Sequence, residues 1–381
     1  MKKRPQLLQS LLQIPLFRQI WVFWKALTAS WRVYLETPVP EAEIAHAREA
    51  ASIPSFGFFL LLICASILAA LGLLANSIPV IIGAMIVAPL MNPILSMAFA
   101  IVTANWKLYK RSIVTMFLGV WSVILISYGI SFLLPINIVG SEVLARISPN
   151  LIDLGIAIAA GAAGSFSLTR QSIGSSIAGV AIAVALVPPL CVVGIGLGIG
   201  GELAAGIGRL SITNLNVSAG AFLLFLANLA GITFTACLVF LSQSYGSFQK
   251  SFQTIVIWLL IMGILCGPLS NSLQEFFVSN RLGLEMNRMR VDYPEVWKNT
   301  QIHHLNVELK GSTAYVNILV SAPQGVVTDE HLELTKERLF RTVSGLAVNA
   351  MDLNIRILPV KLREYQGIIC LLYTSPSPRD Q

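Results

Sequence analysis

The sequence predicts an all-α polytopic membrane protein, with about seven transmembrane helices and a small α+β domain near its C-terminal end. Of the 381 residues, 55% are hydrophobic and only 12% are charged, about half the charged share that is usual in soluble domains. Charged residues are also missing from the stretches 56–101, 112–141, 210–249 and 251–274. A helix of roughly 20 apolar residues crosses a hydrocarbon core of about 30 Å, so the lipid bilayer is the first expected partner.

Hydrophobic segments divide the predicted transmembrane domain, residues 54–274, into seven spans. These lie at 56–75, 78–102, 113–135, 150–169, 173–199, 217–241 and 254–273. Residues 1–53 precede them, and Pro15–Glu36 mixes tryptophans with Arg and Lys, which is typical of a helix lying at the membrane surface. A soluble amphipathic helix packed on the rest of the protein is the alternative interpretation.

Lys and Arg are distributed unevenly among the connections between spans, and an excess of them marks the cytoplasmic side. Residues 1–54 hold seven and the 103–112 loop holds three, whereas the alternate connections hold only Arg146 and Arg209. We therefore expect a cytoplasmic N-terminus and, after seven spans, a C-terminal domain on the far side. If one proline-containing segment is re-entrant, the number of crossings is even and the C-terminal domain lies on the cytoplasmic side instead.

A soluble module of about 80 residues follows the spans, within residues 280–365. Alternating runs at Ile302–Leu309 and Ala314–Val320 predict a hairpin, Asp329–Val343 has helical spacing, and a last strand lies near Leu353–Val360. This pattern predicts a β-β-α-β fold. Residues 370–381 break it and resemble translated sequencing-adapter sequence, so we expect a non-native tail.

Two hydrophobic segments 100 residues apart carry similar proline pairs. Pro89-Leu90 corresponds to Pro189-Leu190, and the same offset matches Val80 with Val180. The predicted spans fall in corresponding places around each pair, which indicates repeat units at 54–135 and 149–241 with an extra helix at 254–273. Because each unit holds three spans, consecutive copies enter the membrane from opposite sides, and the repeat is expected to be inverted.

Proline pairs inside membrane helices indicate a candidate binding site. A proline lacks an N–H and clashes with the preceding turn, so it frees backbone groups that lipid cannot satisfy. In inverted-repeat transporters, such breaks meet near mid-membrane and bind the solute. The predicted substrate-binding residues are Pro89, Asn92, Pro93, Ser96, Arg170, Pro188 and Pro189. The alternative is that the prolines only kink two helices for packing.

Two charged residues in or near the spans each allow two interpretations. Arg170 lies in a short turn between spans and could pair with an anionic solute, or it could be a topology residue or a snorkelling anchor. Asp153 lies near the start of the fourth span and is interpreted as an interfacial or capping carboxylate, with a proton carrier as the alternative.

The leading functional hypothesis is a transporter or permease for a small solute or ion. The alternative is a membrane-anchored scaffold or sensor that presents the C-terminal module to a partner. No H-E-x-x-H, G-x-S-x-G or Walker motif occurs, so we expect no enzyme, no catalytic or metal-binding residues and no cofactor. No basic stripe with interleaved aromatics supports nucleic-acid binding, and a homo-oligomer is left open.

Three segments resemble a known membrane family. They are 77–94 (SIPVIIGAMIVAPLMNPI), 156–171 (IAIAAGAAGSFSLTRQ) and 176–190 (SIAGVAIAVALVPPL). Together they are similar to the bacterial and archaeal family of domain of unknown function 389, over roughly Pro54 to Leu241. The resemblance implies a multi-span protein of a prokaryotic inner (plasma) membrane, and it brings no assigned substrate, cofactor or functional residue.

Overall fold

The computed structural model describes residues 37–134, 140–171, 186–199, 214–297, 300–310, 313–323, 327–344 and 350–360. The predicted surface helix at Pro15–Glu36, the part 173–185 of the predicted span at 173–199 and the tail at 370–381 lie outside these residues. The chain divides into two compact units. The boundary that separates the spans from the C-terminal module falls between Leu269 and Ser270.

The first unit is built from helices. They are α1 (Glu41–Ala51), α2 (Phe56–Leu74), α3 (Ile78–Val87), α4 (Met91–Thr103), α5 (Trp106–Leu133), α6 (Ser141–Leu144), α7 (Leu151–Leu168), α8 (Val187–Gly198), α9 (Asn214–Ser242) and the first part of α10 (Phe248–Asp292). Side chains cap several starts: the Asn105 side chain accepts from the Leu108 N–H, and the Asp153 carboxylate accepts from the Asn150 N–H. Asp153 therefore caps α7, as one of the two interpretations expected.

Several helices are long and apolar enough to cross a bilayer. Among the described residues these are Phe56–Leu74, Trp106–Leu133, Leu151–Leu168, Val217–Ser242 and Ser251–Asp292. Helices α3 and α4 are bent by 50° at a short break and make a sixth crossing if they act as one span. Length and composition thus support up to six spans in the described part of the chain, against the seven predicted. These helices indicate an integral membrane protein.

The two halves of the first unit pack in matching ways. In the first half α2 and α4 both contact α5, and in the second half α7 and α8 both contact α9. Between the halves, α8 packs on α5 and α4 packs on α9. This reciprocal arrangement is what a duplicated three-helix unit would produce. The inversion of the repeat stays a prediction.

Connections rich in Lys and Arg meet at one end of the helical unit, which we call the charged end (residues 37–53, 103–111, 169–171 and 243–251). The Val39 N–H donates to the Thr169 carbonyl at 3.0 Å, and the Tyr245 hydroxyl donates to the Val39 carbonyl at 2.7 Å. The Ser247 N–H donates to the Val102 carbonyl at 3.3 Å. The connections that are rich in Lys and Arg were expected on one side of the membrane, and they lie together in the structure.

Another set of connections forms the opposite end (residues 75–77 and 140–150). There the Asn76 side-chain oxygen accepts from the Glu142 N–H at 3.0 Å and from the Ser141 hydroxyl at 3.1 Å. Helix α2 joins the two ends with 19 residues, which span about 28 Å at 1.5 Å per residue. This helix length is close to the thickness of a hydrocarbon core.

The second unit contains the remainder of α10, α11 (Pro294–Trp297), β1 (Gln301–Lys310), β2 (Thr313–Pro323), α12 (Asp329–Val343) and β3 (Ala350–Val360). The sheet order is β1-β2-β3, with β1 antiparallel and β3 parallel to β2. The structure has the β-β-α-β order that the sequence predicts. It differs at the start, because α10 continues to Asp292 and packs Val278, Leu282 and Met286 into the core of this unit.

Candidate functional site

The first proline pair interrupts a membrane helix. Ala88 leaves the helical conformation with φ −69° and ψ 124°, and the Met85 carbonyl loses its usual helical donor because Pro89 has no N–H. Helix α3 has 10 residues and α4 has 13. Pro89 therefore lies about 15 Å from the opposite end and about 20 Å from the charged end along the helix axes, near the middle of the crossing.

The second proline pair begins a helix. Pro188 and Pro189 follow Val187 in the first turn of α8, where an N–H has no helical acceptor and proline is tolerated. Gly198, at the end of α8, approaches Ser131 near the end of α5. Pro188 precedes Gly198 by ten residues, so it lies about 15 Å along α8 from Gly198. Its depth is therefore similar to that of Pro89.

Residues beside both proline pairs lie close to neighbouring turns of α2. Leu90 and Leu62 both approach Gly119 on α5, while the Cys191 sulfur lies 3.9 Å from the Ser66 carbonyl. Leu62 and Ser66 are one turn apart, and the Ser66 hydroxyl donates to the Leu62 carbonyl at 2.6 Å. The structure thus brings the surroundings of the two pairs to one stretch of α2.

The predicted site residues around the breaks differ in exposure. Pro93, Pro188 and Pro189 are buried, whereas Pro89 and Asn92 are half-buried. The flanking side chains, which include Ala88, Leu90, Leu186, Val187 and Leu190, belong to one continuous apolar cluster. Polar groups of the described residues at this depth include the backbone groups of the break, the Asn92 amide and the buried Ser127 hydroxyl, which lies near Gly194 of α8.

Ser96 ties α4 to α1. Its hydroxyl is fully buried and donates to the Arg48 carbonyl at 3.1 Å. Because this donor is engaged within the protein, Ser96 fixes the position of α1 against α4.

Arg170 lies at the charged end and makes several local contacts. Its guanidinium donates to the Gln243 side chain and to the Thr169 carbonyl, and it lies 5.0 Å from the centre of the Phe166 ring. Residue 170 also forms a β-bridge with Pro38. These contacts favour the anchoring interpretation of Arg170.

Arg48 is a residue that the sequence reasoning treated only as a topology charge. Its side chain is 8% exposed, and its Nε and Nη1 have no hydrogen-bond partner among the residues described. The available sequence signal is the four-residue spacing of Ile44, Arg48 and Ser52, which places them on one face of α1. Ile44 and Ser52 are also buried.

Comparison with known proteins agrees with the resemblance in the sequence. The family model described as Domain of unknown function (DUF389) matches residues 85–234. A protein of the archaeon Methanocaldococcus jannaschii, described as uncharacterized, is 34% identical over 187 residues, which cover 49% of this chain and 53% of that protein. The match spans about half the length of either chain. The similarity to the DUF389 family is therefore shown over residues 85–234.

Proposed function

We propose that the protein is a permease that moves a small solute or ion across the membrane through the region of the two proline pairs. The observation that carries this proposal is the break between α3 and α4. It leaves the Met85 carbonyl without its helical donor near the middle of a crossing, and lipid cannot satisfy such a group.

The packing of the helices supports the same proposal. Pro188 lies at a similar depth, in a helix that contacts α2, α3, α5 and α9. Paired irregularities at equivalent places of a duplicated unit are typical of secondary transporters. We propose that the membrane is the inner membrane of a prokaryotic cell, with the charged end in the cytoplasm, because Lys and Arg concentrate there.

Replacement of Pro89 tests the break. Pro89→Ala restores an N–H to residue 89 and allows a hydrogen bond to the Met85 carbonyl. In proteoliposomes, we expect it to abolish the flux of whichever solute the wild type carries, tested with sodium, potassium, phosphate, small carboxylates and amino acids. Asn92→Ala should weaken the flux while leaving the break intact.

Pro79→Ala is the matched control. Pro79 lies in the first turn of α3 and is exposed, so the same chemical change there leaves the helix geometry intact. Wild-type flux in both Pro89→Ala and Asn92→Ala would show that the prolines serve only as kinks.

A scaffold function is the second candidate, and the apolar packing beside the breaks favours it. Leu90, Leu186 and Leu190 are each 1% exposed or less, as expected for a closely packed helix bundle with a structural function. In that case the second unit would bind a partner. Undiminished binding of that partner in Pro89→Ala, with no solute flux in the wild type, would establish the scaffold.

A further inference from the structure

Arg48 carries a buried positive charge without a counter-charge in the described part of the chain. Its side chain is 8% exposed, and neither Nε nor Nη1 has a hydrogen-bond acceptor among the residues described. Burial lowers the pKa of the guanidinium below its usual value, yet arginine stays protonated in proteins. A buried charge without a partner is strongly unfavourable, so a bound anion would stabilise this position.

The Arg48 side chain leaves α1 on the face that packs into the helical unit. Ile44 and Ser52, one turn away on either side, are 4% and 0% exposed. The Arg48 carbonyl accepts from Ser96 on α4, and the Ser52 carbonyl accepts from the Thr115 hydroxyl on α5 at 2.7 Å. The backbone that carries Arg48 therefore lies where α1, α4 and α5 come together.

A second arginine, Arg111, lies at this junction. Arg111 on α5 donates from Nε to the Ser52 hydroxyl and from Nη2 to the Glu49 carbonyl, both at 2.7 Å. The acidic residues of α1, Glu41, Glu43 and Glu49, are exposed. The ion pair described in the helical unit joins Arg146 and Glu142 at the opposite end.

A second polar group at the junction has no described partner. The Ser112 hydroxyl is fully buried, and no acceptor or donor for it occurs among the described residues. Ser112 follows Arg111 and lies one turn before Thr115, within the part of α5 that contacts α1. A hydroxyl donor and a guanidinium in the same region are a suitable combination for an oxygen anion.

We propose that the Arg48 guanidinium binds an oxyanion, a carboxylate or phosphate group, at the junction of α1, α4 and α5. The planar fork of arginine matches the two oxygens of such groups. The anion could be a soluble solute or the headgroup of an anionic phospholipid, because the junction lies near the charged end. Transport of a soluble anion rests on the proposed permease function, whereas its binding does not.

Thermal unfolding of the purified full chain in a non-ionic detergent tests the binding. One arm adds sodium phosphate against sodium chloride of equal ionic strength, and the other adds phosphatidylglycerol against phosphatidylcholine. We expect the unfolding midpoint to rise over its control in at least one arm, since a ligand that binds the native state stabilises it. A response to phosphate alone identifies a soluble anion, and one to phosphatidylglycerol alone a headgroup.

Arg48→Met supplies the decisive comparison. We expect its midpoint without added anion to be higher than that of the wild type, because an uncompensated buried charge is gone, and its anion response to be lost. Lys107→Met removes an exposed cation at the same end and should respond as the wild type does. An equal response of Arg48→Met and wild type, a lower midpoint of Arg48→Met without anion, or no wild-type response in either arm would overturn the proposal.

Arg48→Lys covers the case in which Arg48→Met does not fold. It keeps the charge but loses the bidentate fork, so the apparent anion affinity should fall by about tenfold or more. Unchanged affinity in Arg48→Lys would contradict the proposal. Because binding is measured in detergent, its failure is separate from any loss of solute flux in the Pro89→Ala experiment.

Discussion

Gly246 and Val102 approach so closely that the glycine has no room for a side chain. A Cβ on Gly246 would overlap the Val102 carbonyl oxygen, and Gly246 has φ +74°, which is unfavourable for any residue with a side chain. The Ser251 hydroxyl donates to the same carbonyl at 2.8 Å. This contact joins the start of α10 to the end of α4.

Gly246→Ala should therefore destabilise the protein by about 1–3 kcal/mol. The expected observation is a lower unfolding midpoint of the purified chain in detergent. Gly263→Ala is the control, because a Cβ there meets nothing within 4 Å and alanine is a better helix former by about 1 kcal/mol. If both variants unfold at the same temperature, the close approach does not matter.

Gly194 allows α8 to cross α5 at short distance. A Cβ on Gly194 would lie 2.5 Å from the Ile124 carbonyl oxygen and 2.8 Å from the Ser127 Cβ. Small residues permit such approach in membranes, and overpacking costs about 1–3 kcal/mol. Gly194→Ala should lower both the unfolding midpoint and the yield of monodisperse protein. Gly155→Ala, with open space around it, should lower neither, and a similar loss there would contradict this explanation.

Tyr245 connects two segments of the charged end, the segment before α1 and the connection between α9 and α10. Its hydroxyl donates to the Val39 carbonyl at 2.7 Å, so Tyr245→Phe should cost about 1 kcal/mol at neutral pH. Burial raises the pKa of the Tyr245 phenol above its ordinary value of 10.0. The folded state thus keeps its proton when the unfolded state loses it, and this contribution is complete below pH 10 and lost as pH rises through the folded pKa.

The pH dependence of thermal unfolding provides the check on Tyr245. Tyr245→Phe should show a shallower fall in midpoint above pH 10 than the wild type. Identical curves for wild type and Tyr245→Phe would exclude a titration at this position.

The two ends of the helical unit should lie on opposite sides of the membrane. Lys107 is exposed at the charged end and Ala75 at the opposite end, so cysteines placed there report the sides directly. In a background without exposed native cysteines, an impermeant thiol reagent on intact cells should label Ala75→Cys. Lys107→Cys should react only after the membrane is opened. The reverse pattern would invert the orientation that the positive charges indicate.

The matching packing of the two halves predicts an internal symmetry. The repeat unit 54–135 should superimpose on the unit 149–241 after a rotation of about 180° around an axis in the membrane plane. An experimental structure in a lipid environment would measure this axis. An axis along the membrane normal would remove the main architectural argument for transport.

The C-terminal module shows which parts of a fold can be predicted locally. The strands and α12 lie where the alternating and helical spacings placed them, because one face of each element is buried and the period of hydrophobic residues records it. The continuation of α10 to Asp292 was not predicted, although Val278, Leu282 and Met286 recur at helical spacing. The rise in charged residues after Asn280 concealed that period, because the exposed face of a helix is charged as well.

The amino-acid sequence alone indicated a membrane protein, gave the approximate positions of most of the described helices and predicted which proline pairs correspond. Those properties depend on the hydrophobicity and backbone chemistry of adjacent residues, which are local. Only the tertiary structure decided that Pro89 interrupts a helix whereas Pro188 begins one, and that Arg170 is held by Gln243. It also decided that Arg48 is buried without a described partner, because burial of a side chain depends on which distant helices pack around it, and no local pattern specifies those neighbours.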